Sequence, residues 1–411
     1  MRIAYITADP GVPVFGQKGC SIHVQEVLRA LVKRGARVEL FAASAAGQPP
    51  ADLASIRLHR LPPPPKGEPA FREQQCLEAN GTLRTALKRE GPFTLVYERY
   101  SLWSFAGMDY ARATGTPGLL EVNAPLIEEQ AEHRGLVDRA SAERVAKRAF
   151  NAAQVLLAVS EEVAEYLKRY SIARNKVHVV PNGVNPDRFA PNQKPSLPAA
   201  AETLTVGFAG SMKPWHGLEN LLEAFARLHQ RLPASRLLLV GEGIGREPLA
   251  AAASARGLGS AVQFTGAVPA NEVPGLLASM DIAVAPYPNL PNFYFSPLKV
   301  YEYMAAGLPV VASRIGQLEK LIEHQMNGLL VPPGDVPALA TGLEQLGRKP
   351  ELRRRLGQAA RGRVVRDHTW DGAVERILGL AGTAETMQPK PHAGRVSPQS
   401  AKARGALRAG R

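Results

Sequence analysis

The pattern of apolar and polar positions alternates between two periods along most of the chain. Short unbroken apolar runs, such as Val310-Val311-Ala312, are typical of parallel strands that are buried on both faces. Other stretches place apolar residues every three or four positions, as in Val24, Val27, Leu28 and Leu31, which is the spacing of a helix with one buried face. Because the two kinds of stretch alternate, the sequence predicts an α/β protein with parallel sheets.

The first half of the chain contains one series of such stretches. Strands are predicted at 2–8, 38–42, 95–98, 119–122, 154–160 and 177–181. Helices are predicted from a Ser21 cap to Gly35, at 71–90 and at 140–150, and from a Ser160 cap to position 170. The proline run within 61–67 indicates a polyproline bend at the surface.

A second series follows a segment rich in proline and alanine, residues 190–202, which we interpret as a linker. Its strands are predicted at 205–209, 236–241, 262–265, 281–286, 310–312 and 329–331. Its helices are predicted at 218–232, at 336–346, at 369–380 and from a Ser296 cap, with Pro297 as first helical residue, to the stop at Gly307.

Length and composition narrow the class of protein. The 411 residues are enough for two domains, and no apolar run approaches the roughly 18 residues that span a bilayer. Residues 1–6 predict a strand rather than a signal peptide. Cys20 and Cys76 are the only cysteines, too few for a disulfide framework. We therefore expect a cytoplasmic protein.

The positive charge is concentrated at the C-terminal end. The formal net charge is +13, and residues 386–411 contribute +6 of it without any acidic residue. We expect the segment 384–411 to be a disordered basic tail. It either keeps the protein soluble or makes peripheral contact with an anionic membrane at the inner face. The charge comes with no nucleic-acid recognition motif, so we expect no nucleic-acid partner.

The segment 292–313 combines a lysine and a carboxylate at the start of a predicted helix. Lys299 and the helix N-terminus together form an anion site. Glu302, three residues further on, suits a pair of hydroxyls such as a ribose diol. A nucleoside diphosphate presents both groups. The alternative for an isolated helix is an exposed ion pair between Lys299 and Glu302, worth tenths of a kcal/mol.

The same segment resembles the donor-site signature of glycosyltransferase family 4, which has the GT-B fold. The family signature is E-x7-E followed by A-M-A-x-G-x-P-V-V-A, and the stretch Glu302-Tyr303-Met304-Ala305-Ala306-Gly307-Leu308-Pro309-Val310-Val311-Ala312 matches its second half. Tyr294 stands where the first glutamate belongs. Ser296-Pro297-Leu298-Lys299 resembles the S-P-x-K of one branch of the family.

The resemblance implies two domains that face each other across a cleft. Both are Rossmann-like: 1–189 on the acceptor side and 203–368 on the donor side, with a helix at 369–383 that crosses back to the first domain. The donor-binding residues that it implies include Tyr294, Ser296, Pro297, Leu298, Lys299 and Glu302, of which Glu302 is also a catalytic candidate. The others are Gly16, Gly19, Ser211, Gly241, Glu242 and Val268.

The resemblance also implies that the loop 210–217 holds the leaving diphosphate. Family members carry an arginine and a lysine there, and this chain has Ser211 and His216 at those positions. Lys213 is the nearest cation and our first catalytic candidate, because a lysine stays charged at neutral pH. His216 is the second candidate, and we expect it to contribute when protonated at lower pH.

On the acceptor side, the loop Gly16–Gly19 followed by His23 resembles the family's G-G-x-x-x-H-V. The G-x-G-x-x-G spacing of dinucleotide-binding proteins is absent. Asn123 and His133 are further acceptor-side candidates. Together with Glu121, Glu128 and Glu129, His133 is expected in loops at the cleft edge, and no single general base stands out.

The implied activity is the transfer of a sugar from a nucleoside diphosphate sugar, with UDP or GDP, to an acceptor hydroxyl. The acceptor is a lipid-linked sugar, a growing polysaccharide or a small molecule. The family retains the anomeric configuration and uses no metal, so no cofactor is expected. The alternatives are a non-catalytic nucleotide-sugar-binding subunit and a nucleotide-sugar 2-epimerase.

Overall fold

The computed structural model describes residues 1–63, 66–171 and 175–382. Within them, two parallel sheets of seven and six strands are each covered by helices on both faces. This is the predicted GT-B architecture of two Rossmann-like domains. The predicted tail, and Pro64 and Pro65 of the polyproline bend, lie outside the described residues.

The N-terminal sheet has the strand order β3-β2-β1-β4-β5-β6-β7, and all its pairs are parallel. Its elements are β1 (Arg2–Thr7), α1 (Gly19–Lys33), β2 (Arg37–Ala42), β3 (Arg57–Arg60), α2 (Pro69–Glu90), β4 (Leu95–Arg99), α3 (Ala106–Thr114), β5 (Gly118–Val122), α4 (Leu126–His133), α5 (Arg139–Ala152), β6 (Val155–Ala158), α6 (Glu161–Lys168) and β7 (Val177–Val179).

The C-terminal sheet has the order β10-β9-β8-β11-β12-β13, again with parallel pairs. Its elements are β8 (Leu204–Ala209), α7 (Leu218–Arg231), β9 (Ser235–Val240), α8 (Arg246–Ala255), β10 (Val262–Gly266), α9 (Val273–Leu277), β11 (Ile282–Ala285), α10 (Leu298–Ala305), β12 (Val310–Ser313), α11 (Gln317–Leu321), β13 (Leu329–Val331), α12 (Val336–Arg348), α13 (Pro350–Asp367) and α14 (Trp370–Leu380).

Two predicted helix caps are wrong. α1 begins at Gly19 after Lys18, so Ser21 lies inside the helix, where it is buried. α10 is preceded by Pro297, which offers no side-chain cap. Ser296 accepts instead from the backbone N–H of Asn182 at 3.3 Å, so its hydroxyl faces the other domain.

The predicted loops around His133 also differ from the structure. Glu128, Glu129 and His133 belong to the helix α4, whose first turn follows Pro125 and contains both glutamates. Acidic residues in the first turn stabilise a helix through its dipole, which is why this polar stretch folds. Glu121 lies within β5 and is buried.

The last helix, α14, packs on the N-terminal domain, as the resemblance implied. Trp370, Val374 and Ile377 belong to the same apolar core as α1 and β1. The chain crosses between the domains beside an earlier crossing, and the two are hydrogen-bonded: Val184 N–H donates to His368 at 2.9 Å, and Trp370 N–H donates to Val184 at 3.1 Å. None of the helices that the structure describes is long and apolar enough to cross a membrane.

Candidate active site

Lys299 lies where the C-terminal sheet reverses its strand order. The order runs outwards in opposite directions from β8 and β11, and open α/β sheets bind ligands at the carboxyl ends of such a pair of strands. Lys299 Nζ lies 4.3 Å from the centre of the Phe208 ring, near the end of β8, and 5.6 Å from that of Tyr287, just after β11. The lysine therefore occupies the position where this fold binds ligands.

The ammonium group of Lys299 is buried without a hydrogen-bond acceptor. Nζ has almost no accessible surface, and no acceptor among the described residues reaches it. Burial lowers the pKa of Lys299 to about 7, and the negative charge of Glu302 opposes that shift. A buried cation without a partner is unfavourable. Such a group is a candidate for binding an anion that the ligand supplies.

Glu302 lies one turn along α10 from Lys299, with a side chain that is 22% exposed. Burial raises the pKa of Glu302 to about 7, against the lowering effect of Arg188 and Lys299. The exposed ion pair that we considered for an isolated helix does not form: no ion pair joins Lys299 and Glu302 in the described ranges. The two groups are free to bind different parts of one ligand.

Arg188 connects Glu302 with the N-terminal domain. Its Nη1 lies 3.9 Å from Glu302 Oε1 and 3.3 Å from Oε1 of Glu26, a buried residue of α1. Its Nη2 donates to the carbonyl of Ala270 at 2.8 Å. Sequence reasoning missed Arg188 and Glu26.

The loop 210–217 folds tightly against the end of β11. Gly217 has φ +67°, and a Cβ at this position would overlap the carbonyl oxygen of Pro286. His216 Nδ1 lies 2.5 Å from the carbonyl oxygen of Ser211, so Nδ1 carries the hydrogen and donates it. In the neutral ring, Nε2 is then left with a lone pair and no hydrogen to donate.

The charge that we expected on His216 is not available in the ligand-free protein. Burial, together with the positive charges of Lys299 and Lys213, lowers the pKa of His216 to about 3. The imidazole is therefore neutral at pH 6, where we expected imidazolium. Lys213 is half-buried, with Nζ 5.7 Å from the centre of the Trp215 ring.

The backbone after β9 packs directly against the same loop. Gly241 has φ +130°, and a Cβ there would overlap the carbonyl oxygen of Gly210. The carbonyl of Glu242 accepts from the N–H of Met212 at 3.0 Å. The carboxylate of Glu242 lies 3.5 Å from Arg246. These backbone contacts fix the position of the loop that carries Lys213 and His216.

The segment before α10 contacts the N-terminal domain. The hydroxyl of Tyr294 donates to Glu129 Oε2 at 3.1 Å, and the carbonyl of Tyr294 accepts from Ser160 at 3.0 Å. Leu298 packs against the core of the N-terminal domain. Val268 is a predicted donor-side position outside this segment. It is half-buried and packs on the C-terminal core.

His23 and Asn123 belong to a network around a buried carboxylate. His23 is 3% exposed, and its Nε2 lies 2.9 Å from Glu121 Oε1. Asn123 Nδ2 donates to the same oxygen at 2.5 Å, and Arg99 Nη1 lies 3.1 Å away. Burial alone would raise the pKa of Glu121, but these partners hold it far below its ordinary value. His23 also packs edge-on against Trp370 of the last helix.

His133 is the remaining acceptor-side candidate, and the donor-side candidates Gly16 and Gly19 lie just before and at the start of α1. His133 is exposed, and its ring lies 6.1 Å from and nearly parallel to that of Trp215 on the facing domain. Gly16 accepts from Gln25 Nε2 at 3.0 Å. Gly19, the first residue of α1, faces Leu298: the nearest atom to a Cβ built there is Leu298 Cδ1, at 4.0 Å.

Similarity to solved structures covers both domains. Sucrose-phosphate synthase from Thermosynechococcus elongatus aligns with 94% of this chain and 99% of its own, at a TM-score of 0.72 and 23% identity. HepE from Anabaena, in a complex with UDP, aligns with 93% of this chain and 100% of its own, at a TM-score of 0.68 and 19% identity. These likenesses concern the fold.

Curated relatives are similar over most of their length. A D-inositol 3-phosphate glycosyltransferase from Saccharomonospora viridis is 28% identical over 90% of each chain. A second one, from Stackebrandtia nassauensis, is 29% identical over 93% of this chain and 90% of its own.

Two family models match successive parts of the chain. The model of glycosyltransferase family 4 matches residues 18–188, and that of glycosyl transferases group 1 matches residues 203–349. The first match covers most of the N-terminal sheet, and the second covers the C-terminal sheet. Together they span more than three quarters of the sequence. The chain belongs to glycosyltransferase family 4 and has the GT-B fold.

Proposed function

We propose that this glycosyltransferase moves a sugar from a nucleoside diphosphate sugar to an acceptor hydroxyl with retention of configuration and without a metal ion. The observation that carries the proposal is the ammonium of Lys299, which is buried at the strand-order reversal with no acceptor among the residues that the structure describes. A diphosphate would supply the missing negative charge. Its binding would raise the pKa of Lys299 from about 7 and keep the lysine protonated.

Each part of the donor has a candidate partner. The diphosphate binds Lys299 and Lys213, with the backbone N–H groups at the start of α10. The ribose diol donates two hydrogen bonds to the carboxylate of Glu302, which Arg188 helps to keep ionised. The base lies near Val268, beside the turn after β10.

Catalysis in this proposal is electrostatic. Negative charge grows on the diphosphate as the bond to the sugar breaks, and preorganised positive groups stabilise it most in the transition state. Lys299 is held in place by the rings of Phe208 and Tyr287, so little reorganisation is needed. A departing phosphate oxygen then takes the proton of the acceptor hydroxyl while the hydroxyl oxygen bonds to the anomeric carbon, so this step needs no protein base among the described residues.

The choice of nucleotide and acceptor is supported by similarity. HepE was solved with UDP, with UDP and glucose and with UDP-glucose, which makes UDP-glucose the first donor to test. The curated relatives named above are D-inositol 3-phosphate glycosyltransferases, so inositol 3-phosphate is one acceptor to test. We propose that the protein works in glycan or glycoconjugate biosynthesis.

The proposal is tested by incubating the protein with a panel of UDP- and GDP-sugars, with and without EDTA, and detecting transfer or donor hydrolysis by mass spectrometry. We expect one donor to be consumed equally with and without EDTA, and an NMR spectrum of the product that shows the donor's anomeric configuration. Loss of turnover in EDTA that Mg²⁺ restores would contradict the metal-free mechanism.

A second candidate is a binding subunit without turnover. It is favoured by Tyr294 and by the neutral His216, because family members carry a glutamate and a cation at these positions. Such a subunit would bind a nucleotide-sugar without consuming it in the same panel. Donor consumption that the variant Lys299→Met abolishes would exclude it.

A further inference from the structure

The N-terminal domain contains a cavity of about 270 Å³ at its own strand-order reversal. Residues 8–11, just after β1, and 101–104, just after β4, form one side of it. The volume is near the lower end of the ~300–1,000 Å³ typical of small-molecule sites. The position corresponds to that of Lys299 in the other sheet, since both lie at the carboxyl ends of the strands where the order reverses.

The helix α2 turns one face into this cavity. Arg72, Cys76, Ala79 and Leu83 follow each other at helical spacing and all line it. Apolar side chains form most of the remaining wall. They are Ala8, Ala43, Leu61, Leu102, Trp103 and Leu126.

The polar groups of the wall are mostly bonded within the protein. The amide of Asn80 bonds to the backbone of residues 103–106, donating through Nδ2 and accepting through Oδ1. The carboxylate of Glu73 accepts from both N–H groups of residues 137–138. The hydroxyl of Ser101 is buried and has no partner in the described residues. A ligand therefore meets a mostly apolar wall that also carries the charged side chains of Asp9, Arg72 and Arg134.

The cavity is connected to the proposed donor site through α4. Leu126, Glu129 and Gln130 of this helix line the cavity. The same Glu129 accepts a hydrogen bond from Tyr294, four residues before Leu298 at the start of α10. One helix is thus both a wall of the cavity and a contact of the donor domain.

We propose that the acceptor of this glycosyltransferase carries an apolar group, an alkyl chain or an aromatic ring, and that this cavity binds it. The inference rests on the proposed function, and it selects an amphipathic acceptor from the alternatives that the sequence leaves open. A small polar acceptor such as inositol 3-phosphate could contact the charged side chains of the wall, but it would leave the apolar side chains without contacts.

Cys76 provides a direct measurement of occupancy, because it lines the cavity and Cys20 is the only other cysteine. In the variant Cys20→Ser, the rate of Cys76 alkylation by N-ethylmaleimide is followed by mass spectrometry. Methyl, butyl, hexyl and octyl β-D-glucopyranosides are the probes, each below its micelle concentration. We expect protection to strengthen about threefold per added methylene until the cavity is full.

Two substitutions separate occupancy from general effects. Ala79→Phe fills the cavity from α2 and should remove the protection by octyl glucoside, with Ala79→Leu as the smaller change if the phenylalanine disturbs folding. Ala113→Phe makes the same change at an exposed position of α3 outside the cavity and should leave protection intact. For sugars tested as methyl and octyl glycosides, Ala79→Phe should raise the KM of the octyl acceptor much more than that of the methyl acceptor.

Protection that does not depend on chain length, or inositol 3-phosphate protecting as well as octyl glucoside, would overturn the inference. Calorimetry with UDP on the same samples keeps the two proposals apart. If UDP binds and no alkyl glycoside protects Cys76, the acceptor inference alone fails. If alkyl glycosides protect and no nucleotide binds, the proposed function fails and the cavity is not an acceptor site.

Discussion

Two buried charged groups, one in each domain, differ in whether the protein supplies partners for their charge. Glu121, in the N-terminal sheet, is surrounded by His23, Arg99 and Asn123, and these partners hold its pKa far below the ordinary value. Lys299, at the edge of the C-terminal sheet, has no hydrogen-bond acceptor among the described residues. A buried charge whose partners are all in the protein becomes destabilising when one partner is removed, whereas a buried charge that lacks a partner is a candidate for binding a ligand.

The largest expected effect is that of Lys299→Met. Removing one preorganised positive contact should lower kcat by roughly 10²–10³. Unfolding of the ligand-free protein should need a higher temperature, because a buried cation without a partner is replaced by an apolar side chain. Turnover measured with the cognate donor and thermal unfolding of the same sample test both halves.

Lys147→Met is the matched control, since Lys147 is exposed on α5. It should leave kcat and the melting temperature unchanged. If Lys299→Met lowers the melting temperature, the lysine has a structural partner and the contrast with Glu121 does not hold.

Glu121→Gln should lower the stability of the protein, whereas Lys299→Met should raise it. Breaking a buried charge network typically lowers the free energy of unfolding by about 3–5 kcal/mol. Because the folded pKa of Glu121 lies below the unfolded one, its contribution is complete above about pH 4.3 and is lost as the pH falls further. Urea unfolding at pH 7 and at pH 3 should show a large difference from wild type that shrinks in acid. An equal difference at both pH values would mean that the carboxylate charge is not involved.

Glu302 and Lys299 together should give nucleotide affinity a bell-shaped pH profile. The pKa of each is about 7 in the free protein, and the donor prefers Glu302 ionised and Lys299 protonated. Affinity should therefore peak near neutral pH. Calorimetry should show that Glu302→Gln removes the acidic limb and weakens binding by roughly tenfold or more. A profile that stays flat from pH 5 to 9 would exclude both assignments.

Glu302 should also affect the stability of the ligand-free protein. Glu302 has a raised pKa, so the folded state keeps a proton that the unfolded chain releases between about pH 4.3 and 7, and stability falls across that range. Glu302→Gln should remove this fall. Thermal unfolding measured at pH 5 and pH 7.5 provides the comparison.

His216→Ala should have the smallest effect. With a pKa of about 3, the ring is neutral from pH 6 to 8, and its Nδ1 hydrogen is used by Ser211. We expect kcat to change by less than about tenfold, with no titration near pH 6.5. A loss that grows from pH 8 to pH 6 would show that bound diphosphate protonates the ring.

Most of the fold could be predicted from local pattern. Every predicted strand is present, with ends that differ by at most two residues, because buried parallel strands leave a continuous apolar run. The edge strand β3 was missed, since Arg57–Arg60 is polar and only partly buried. The helix α4 was missed for a similar reason: its sequence is acidic, and Ile127 alone is buried.

The candidate site was predictable to a smaller extent. Lys299 and Glu302 share a helix, so their spacing indicated a common site. That Glu302 faces Arg188 and Glu26 depends on how the two domains meet, which no local pattern contains. The neutral state of His216 depends on burial and on the neighbouring Lys299, a residue 83 positions away in the chain.

The two adjacent chain crossings at Val184 and residues 368–370 define how the domains can move. A single linker would let one domain rotate about any axis, whereas two crossings joined by backbone hydrogen bonds restrict the motion to bending about the line between them. We expect opening of the cleft to separate Tyr294 from Glu129 and Trp215 from His133 without losing the register of the facing surfaces. A donor bound in the open form would then reach the same acceptor position at each closure.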